Sequence, residues 1–296
     1  MRVEMYSSLN EAVKDLFGSS RKITGQGYVT GGDINDAYEI VLDDGLHLFM
    51  KRNVRSALAN FQAEAAGLDA IRATGAIRVP EILGIGTDGA DSFLLLEFIE
   101  KKQRVKHFWE IFAEELAAMH HAPAAAQVGF GFPEDNWIGA RKQINTPHDS
   151  WVDFFRDCRL EVQFRAADQY FSPQDRKRID FLLSHLDRYL TEPVRPSLLH
   201  GDLWSGNMIT GPDGKGWLID PAVYYGHPEV DIAMTELFGG FSQEFYETYR
   251  EAGAMEDGYL DRRDLYNLYQ LLNHLNMFGR SYLDPVLRIV KRYGGG

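Results

Sequence analysis

From Tyr28 to Lys51 the chain reads YVTGGDINDAYEIVLDDGLHLFMK, with short, mostly apolar, strand-like runs over Ala37 to Leu42 and again over Leu46 to Lys51. With Gly31-Gly32 as a glycine-rich turn and Asp44-Gly45 as a hairpin signal between the runs, this pattern predicts a meander of antiparallel strands. The pattern then changes. In NVRSALANFQAEAAGLDAIRATG, Leu58, Phe61, Ala65, Leu68 and Ile71 recur every three or four residues, which predicts one amphipathic helix with Ser56 as its N-cap and Gly75 as its stop. After VPEILGIGTD, the run SFLLLEFIE predicts a buried strand, and the charged KKQRVK behind it marks a boundary. The expected division is 1–99, a small part with an antiparallel sheet and one main helix, and 100–296, a larger and mostly helical part.

The helical pattern of the second part is carried by three stripes. Phe108, Ile111, Phe112, Leu116 and Met119 mark one helix; Ser172-Pro173 opens another carrying Ile179, Leu182, Leu183 and Leu186; Leu265, Leu268, Leu272 and Leu275 mark a third. Between the second and third stripes, LLHGDLWSGNMITGPDGKGWLIDPA breaks the period. Its apolar runs are too short for helices, and each ends in polar groups: Asp202 and Asn207 stand five apart after the first, and Trp217 to Ile219 delivers Asp220. The fold class expected is therefore α+β.

Composition narrows the function without naming it. The chain has 296 residues, 45% hydrophobic and 25% charged, which allows one large core or two smaller ones. Cys158 is the only cysteine, so no intrachain disulfide framework or thiolate zinc site can form, and a reducing, cytoplasmic setting is expected. The opening MRVEMYSSLNEAVKDLFGSS carries charges throughout and lacks the apolar core of a signal peptide, and no later run approaches a membrane span, so a soluble protein without membrane contact is expected. With 43 acidic against 31 basic residues the net charge is -12, which argues against nucleic-acid binding. The same charge leaves room for a cationic substrate, although solubility alone accounts for it.

Three oxygen-bearing side chains at the ends of short strands suggest a metal-phosphate site. Phosphoryl transfer from ATP is mostly positioning and charge neutralisation, and it requires magnesium ligands and a carboxylate to accept the hydroxyl proton. Asp202 fits the base, while Asn207 and Asp220 fit magnesium, a hard cation that prefers oxygen donors. His200 invites an acid-base reading, but it is expected to be a buried hydrogen-bonding residue that shapes the loop. His120-His121 close a helix and are expected to serve its C-terminus.

HGDxxxxN followed by an aliphatic-aliphatic-Asp strand resembles the catalytic and metal segments of the protein-kinase-like fold, in its aminoglycoside-phosphotransferase branch. Asp220-Pro221-Ala222 stands where protein kinases have Asp-Phe-Gly. The resemblance implies a bilobal fold with ATP and Mg2+ as cofactors, and it assigns the proton-accepting role to Asp202. Lys51 closes the strand LHLFMK as the phosphate-binding lysine of kinases does, and Glu64 lies within the apolar stripe of the next helix, where a carboxylate needs a partner such as Lys51. Gly31 and Gly32 in GGDIN stand where a phosphate-covering loop is expected. Backbone groups at Glu97 and Ile99 are implied for adenine, a role inherited from the fold and not legible in the side chains.

Within that branch the chain resembles the fructosamine kinase family, the ketosamine 3-kinases. The segments are GGDIN at 31–35, GFPEDNWIG at 131–139, SWVDFFRDCRL at 150–160, HGDLWSGN at 200–207 and GHPEVDIAM at 226–234, with HGDLWSGN and SWVDFF the more discriminating. The substrate implied is a ketosamine, free or protein-bound, phosphorylated at O3 to start deglycation. Some members carry a cysteine in the glycine loop that makes them redox sensitive; Asp33-Ile34 stands there instead, so thiol control of that loop is not expected. Trp204 suggests an indole beside the acceptor, either stacked on the sugar or packed in the core. Asp231 matches the position that braces the catalytic loop. Two alternatives stay open at this level: a kinase of another small alcohol, such as an aminoglycoside or a choline-like metabolite, and a noncatalytic nucleotide-binding protein.

Overall fold

The strand-like stretch after Asn35 folds as a hairpin. Gly45 adopts φ 84°, and Asp44 Oδ1 accepts the Leu46 N–H at 3.1 Å, which turns the chain between the two strands. The computed structural model describes residues 4–30, 34–123, 129–253 and 255–295. It divides into two compact units, one of Met1–Phe108 with Met208–Pro221, the other of Trp109–Asn207 with Ala222–Gly296.

The first unit contains β1 (Met5–Tyr6), α1 (Leu9–Phe17), β2 (Ile23–Val29), β3 (Asp36–Leu42), β4 (His47–Val54), α2 (Leu58–Ala73), β5 (Ile82–Asp88) and β6 (Asp91–Glu97). Its six strands run in the order β1-β5-β6-β4-β3-β2, antiparallel throughout except for β1, which lies parallel to β5. Leu9, Val13, Ile40, Leu48, Met50 and Leu95 belong to one buried core, so the apolar face of α1 closes the sheet on one side. Gly86 permits the approach of β1, because a Cβ there would meet the Tyr6 carbonyl oxygen at 2.4 Å.

Several local readings change. The N-terminal segment, notable in the sequence only for lacking a signal peptide, supplies β1 and a helix capped by Ser8, whose hydroxyl accepts the Glu11 N–H at 3.1 Å. Ser56 is not the N-cap of α2. It sits inside a 3-10 turn, Arg55–Ala57, so α2 begins only after Ala57, with no side-chain cap. The first unit also runs past Ile99 to Phe108 and takes back 208–221. The reason is the hairpin of Met208–Thr210 with Gly216–Leu218: Leu218 N–H donates to Arg78 O at 2.8 Å, and Lys102 N–H to Thr210 O at 3.2 Å, so both strands belong to this unit.

In the second unit the expected helices form. α3 spans Phe108–His121, and Pro173–Ser184 opens with a capping box in which Ser172 and Asp175 satisfy each other's N–H groups, although Leu186 falls in the following 3-10 turn. Tyr259–Phe278 is a 20-residue helix with Leu265, Leu268, Leu272 and Leu275 fully buried, and Glu229–Phe238 packs along it. The SWVDFFRDCRL segment is helical from Trp151, widened to π turns over Phe155–Leu160, and Trp151, Phe154 and Phe155 are fully buried. One of the two more discriminating segments is therefore core. Arg159 is buried with it, its guanidinium 3.9 Å from the centre of the Tyr224 ring and donating to Asn145 Oδ1 at 2.8 Å. Among the described residues no helix is long and apolar enough to cross a membrane.

Candidate active site

The first unit brings together the two ends of its own sequence. Lys51 lies on β4, paired on one side with Ala37 and on the other with Leu94, and is 7% exposed. Its Nζ donates to Glu64 Oε1 of α2 at 2.6 Å and to Asp220 Oδ1, just beyond the strand Gly216–Leu218, at 2.5 Å. Burial alone pulls the ammonium down, but the charges of Asp220 and Glu64 outweigh it and hold Lys51 above the usual lysine range. Burial pushes the Glu64 carboxyl up against the pull of Lys51. Asp220 is the exposed member of the triad, and it adopts φ 55°, a left-handed conformation uncommon outside glycine and a mark of functional positions. The expected pairing of Lys51 with Glu64 is thus present, with Asp220 added to it.

At the strand expected to meet adenine, Glu97 N–H is committed to Glu81 O at 2.9 Å, so any contribution of Glu97 to a base would come through its carbonyl. Ile99 is buried. Gly31 and Gly32 lie outside the described residues. The segment after them is tied down where Asn53 Nδ2 donates to Ile34 O at 3.2 Å and Asn35 Oδ1 at 2.8 Å.

In the second unit, the strand Ser197–Leu199 pairs with Tyr224–Gly226 and leads straight into His200-Gly201-Asp202. Asp231, in the first turn of Glu229–Phe238 and 1% exposed, accepts the His200 N–H at 2.7 Å on Oδ2 and the Gly201 N–H at 2.9 Å on Oδ1. On the other side Gln270 Nε2 donates to Gly201 O at 3.1 Å, and Ala222 N–H to His200 O at 2.9 Å. Only glycine fits at 201: φ is 81°, and a Cβ would stand 2.1 Å from the Ala222 carbonyl oxygen. His200 is fully buried, and its Nδ1 accepts the Asp202 N–H at 3.3 Å. It shapes the loop, as its sequence context suggested.

The loop presents Asp202 half-buried, with Asn207 fixed beside it. Asn207 Nδ2 donates to Asp202 O at 2.8 Å and to Asp202 Oδ2 at 3.0 Å, which orients the carboxylate and leaves the amide carbonyl oxygen of Asn207 as the atom for an ion. Among the described residues no group of three or more His, Cys, Asp or Glu is arranged to hold a metal. Magnesium carried on a nucleotide needs only one or two protein ligands besides phosphate and water, and Asp220 in the first unit and Asn207 in the second each carry a hard oxygen donor of that kind. Trp204 is 40% exposed, which removes the core-packing alternative. Its ring lies over Gly206, where a Cβ would meet it at 2.2 Å, and stands edge-on to Phe238 at 6.4 Å between centroids.

His120 corrects its sequence reading. It does not serve the end of α3; it is fully buried, with Nε2 3.1 Å from Asp231 Oδ2 and Nδ1 2.6 Å from the Tyr249 hydroxyl. His120, Tyr249 and Gln270 were missed as supports of the loop. The available signal was a polar residue inside an apolar stripe, as with Gln270 between Leu268 and Leu272.

The sequence profile of the fructosamine kinase family matches residues 5–293. A protein of Synechocystis sp. named a probable ketoamine kinase is 40% identical over 97% of this chain and 96% of its own. A chloroplastic protein-ribulosamine 3-kinase of Oryza sativa subsp. indica is 38% identical over 93% of this chain and 80% of its own. The crystal structure of a candidate fructosamine-3-kinase of Haemophilus somnus 129PT superposes with TM-score 0.86 at 31% identity, covering 97% of this chain and 96% of that one. A more distant aminoglycoside phosphotransferase, at TM-score 0.65 and 18% identity over 98% of this chain and all of its own, shares the bilobal protein-kinase-like fold. The chain belongs to the fructosamine kinase family.

Proposed function

We propose that this chain is an ATP-dependent kinase that phosphorylates the O3 hydroxyl of ketosamines and so begins deglycation. The observation that carries the substrate is the family match across 5–293, which takes in both the lysine-carboxylate triad and the catalytic loop. Asp202 accepts the O3 proton, and Asn207 holds its carboxylate in line. Lys51, kept in place by Glu64, sets its charge on the transferring phosphates. Magnesium, when bound, neutralises charge developing on the nucleotide, with Asp220 and Asn207 as its protein ligands. The carbonyl of Glu97 and the backbone of Ile99 take the adenine, and the Gly31-Gly32 loop covers the phosphates.

Transfer makes the O3–phosphorus bond and breaks the bond to the leaving ADP oxygen. The product has a carbonyl at C2 beside a phosphate at C3. Enolisation toward C1 expels that phosphate, and hydrolysis of the resulting imine frees the amine without the kinase cutting that bond. Trp204 offers an indole face to the sugar, supported by its exposure and by Gly206 beneath it. The proposed setting is cytoplasmic, in keeping with a single, buried cysteine. ADP release coupled to a panel of ribulosamine, fructosamine and aminoglycoside acceptors tests the assignment; transfer to the aminoglycoside alone would replace it.

A further inference from the structure

Two segments, GFPEDNWIG at 131–139 and SWVDFFRDCRL at 150–160, take no part in the chemistry above, yet each sends one polar residue to the same buried place in the second unit. Asn136 pairs with Gln143 across the hairpin of Asn136–Ile138 with Arg141–Gln143. These two, with Asn145, Arg159 and Tyr269, are at most 4% exposed and form one chain of hydrogen bonds. Arg159 donates to Asn145 Oδ1 at 2.8 Å, Asn145 Nδ2 to Asn136 Oδ1 at 3.0 Å, and Asn136 Nδ2 to the Val223 carbonyl at 2.7 Å. From the other side the Tyr269 hydroxyl donates to Gln143 Oε1 at 2.7 Å, and Gln143 Nε2 to Asn136 Oδ1 at 2.8 Å and to the Ala222 carbonyl at 3.0 Å.

The direction of this chain is unique. A guanidinium only donates, so Asn145 must turn its oxygen to Arg159 and its nitrogen to Asn136; a backbone carbonyl only accepts, so Asn136 and Gln143 must turn their nitrogens to Val223 and Ala222. Burial pushes the Tyr269 hydroxyl pKa up, which keeps it protonated and a donor to Gln143. The chain thus grips two successive carbonyls, and the first borders the catalytic loop. Ala222 N–H donates to His200 O, and its carbonyl oxygen lies 2.1 Å from where a Cβ on Gly201 would stand, one residue before Asp202. Apolar side chains would fill the same space without desolvating four polar groups and a guanidinium, so stability alone does not account for the network. Resting on the reading of Asp202 as the base, we infer that Gln143, oriented by Tyr269 and by the chain from Arg159, is a positioning residue for Asp202. It holds the Ala222 peptide against His200-Gly201, so that the carboxylate is set for the acceptor hydroxyl before the acceptor binds.

The test reads kcat apart from binding and from stability, with ribulosyl-lysine as acceptor. Gln143→Glu keeps the shape and replaces the two N–H donors with a carboxyl group; Tyr269→Phe keeps the ring and removes only the hydroxyl that orients Gln143. The first should lower kcat about a hundredfold and the second about tenfold, with acceptor KM and magnesium-ATP affinity near wild type. Ser172→Ala loses the cap of Pro173–Ser184 and should lower Tm while keeping wild-type kcat. Where Gln143→Glu does not fold, Tyr269→Phe decides. Wild-type kcat in Tyr269→Phe would overturn the inference. A kcat loss in Ser172→Ala as large as in Tyr269→Phe would overturn it too, since kcat would then follow stability, and so would weakened magnesium-ATP binding in Tyr269→Phe, since the network would then serve the nucleotide. Wild-type transfer to an aminoglycoside and not to ribulosyl-lysine would remove the ketosamine reading alone, and the inference then stands or falls by the same kcat comparison on that acceptor. Wild-type transfer to no alcohol at all would remove the role of Asp202 and this inference together.

Discussion

Lys51 Nζ stands 2.5 Å from Asp220 Oδ1 and 2.6 Å from Glu64 Oε1, so one buried ammonium gathers carboxylates from α2 and from a strand that returns more than a hundred residues later. The two acids differ in what they can do. Glu64 is nearly buried and balances the lysine, whereas Asp220 is 44% exposed and can turn its other oxygen to an ion. We predict that Asp220→Ala abolishes turnover and sharply weakens magnesium-ATP binding, yet leaves the fold intact because Glu64 still neutralises Lys51. Asn207→Ala should weaken binding less, since an amide carries no net charge. Calorimetric titration of magnesium-ATP distinguishes these outcomes, and wild-type affinity and turnover in Asp220→Ala would contradict the assignment.

Asp202→Asn keeps the shape of the side chain and removes the charge that accepts the proton. Turnover should fall by about a hundredfold to ten-thousandfold, with magnesium-ATP affinity near wild type, because the defect lies on the acceptor side. Single-turnover transfer at the normal rate would assign the proton to another group.

Asp231 takes the His200 and Gly201 backbone N–H groups, beside Asp202, with its two oxygens. Asn at that position can accept from one of them and turns an N–H₂ toward the other. Asp231→Asn should therefore lose about 1–3 kcal/mol of stability and lower turnover together. Denaturant midpoints and kcat measured on the same preparation check this; an unchanged midpoint would mean the loop is held by other contacts.

Much of this was legible before any coordinates. Two short, strand-like apolar runs flanking Asp44-Gly45 gave β3, β4 and their turn, and period-3.6 stripes gave α2, α3 and Tyr259–Phe278, because each of these helices buries one face. Lys51, Glu64, Asp202, Asn207 and Asp220 stood out through their resemblance to the kinase-like motifs, and the structure sets Lys51 against Glu64 and Asp220, and Asn207 against Asp202. What escaped depends on contacts distant in sequence. Ser56 is taken into a 3-10 turn whose first N–H bonds Ala90, the hairpin 208–221 joins the first unit through Arg78, and His120 turns toward Asp231 rather than the end of its helix. No local pattern carries such partners.

A pH dependence of stability follows from His227. It is fully buried, with Nδ1 accepting the Glu229 N–H at 3.2 Å; burial, aided by the charge of Arg262, pushes its pKa down to about 3. Glu229 and Glu256 each place an oxygen 3.9 Å from Nε2, but Arg262 holds Glu229, so burial prevails. A histidine in the unfolded chain takes up its proton near pH 6.5 while the folded one resists until about 3. Stability from this group is therefore complete above about pH 6.5 and is lost as pH falls through that window. Thermal unfolding should show a falling Tm below about pH 6.5, and His227→Gln should flatten that slope even if it lowers Tm overall. Equal slopes in the two proteins would count against the assignment.

The central claim, transfer to O3 of a ketosamine, is tested most directly by phosphorus NMR of the protein with magnesium-ATP and a ribulosamine of lysine. ADP and a sugar-phosphate signal should appear together, and the sugar phosphate should then decay to inorganic phosphate as free amine accumulates, because a C3 phosphate leaves once the sugar enolises. Asp202→Asn, run alongside, should form neither signal at an appreciable rate. Robust transfer to an aminoglycoside with none to ribulosamine or fructosamine, or a sugar phosphate that never decays, would contradict the account.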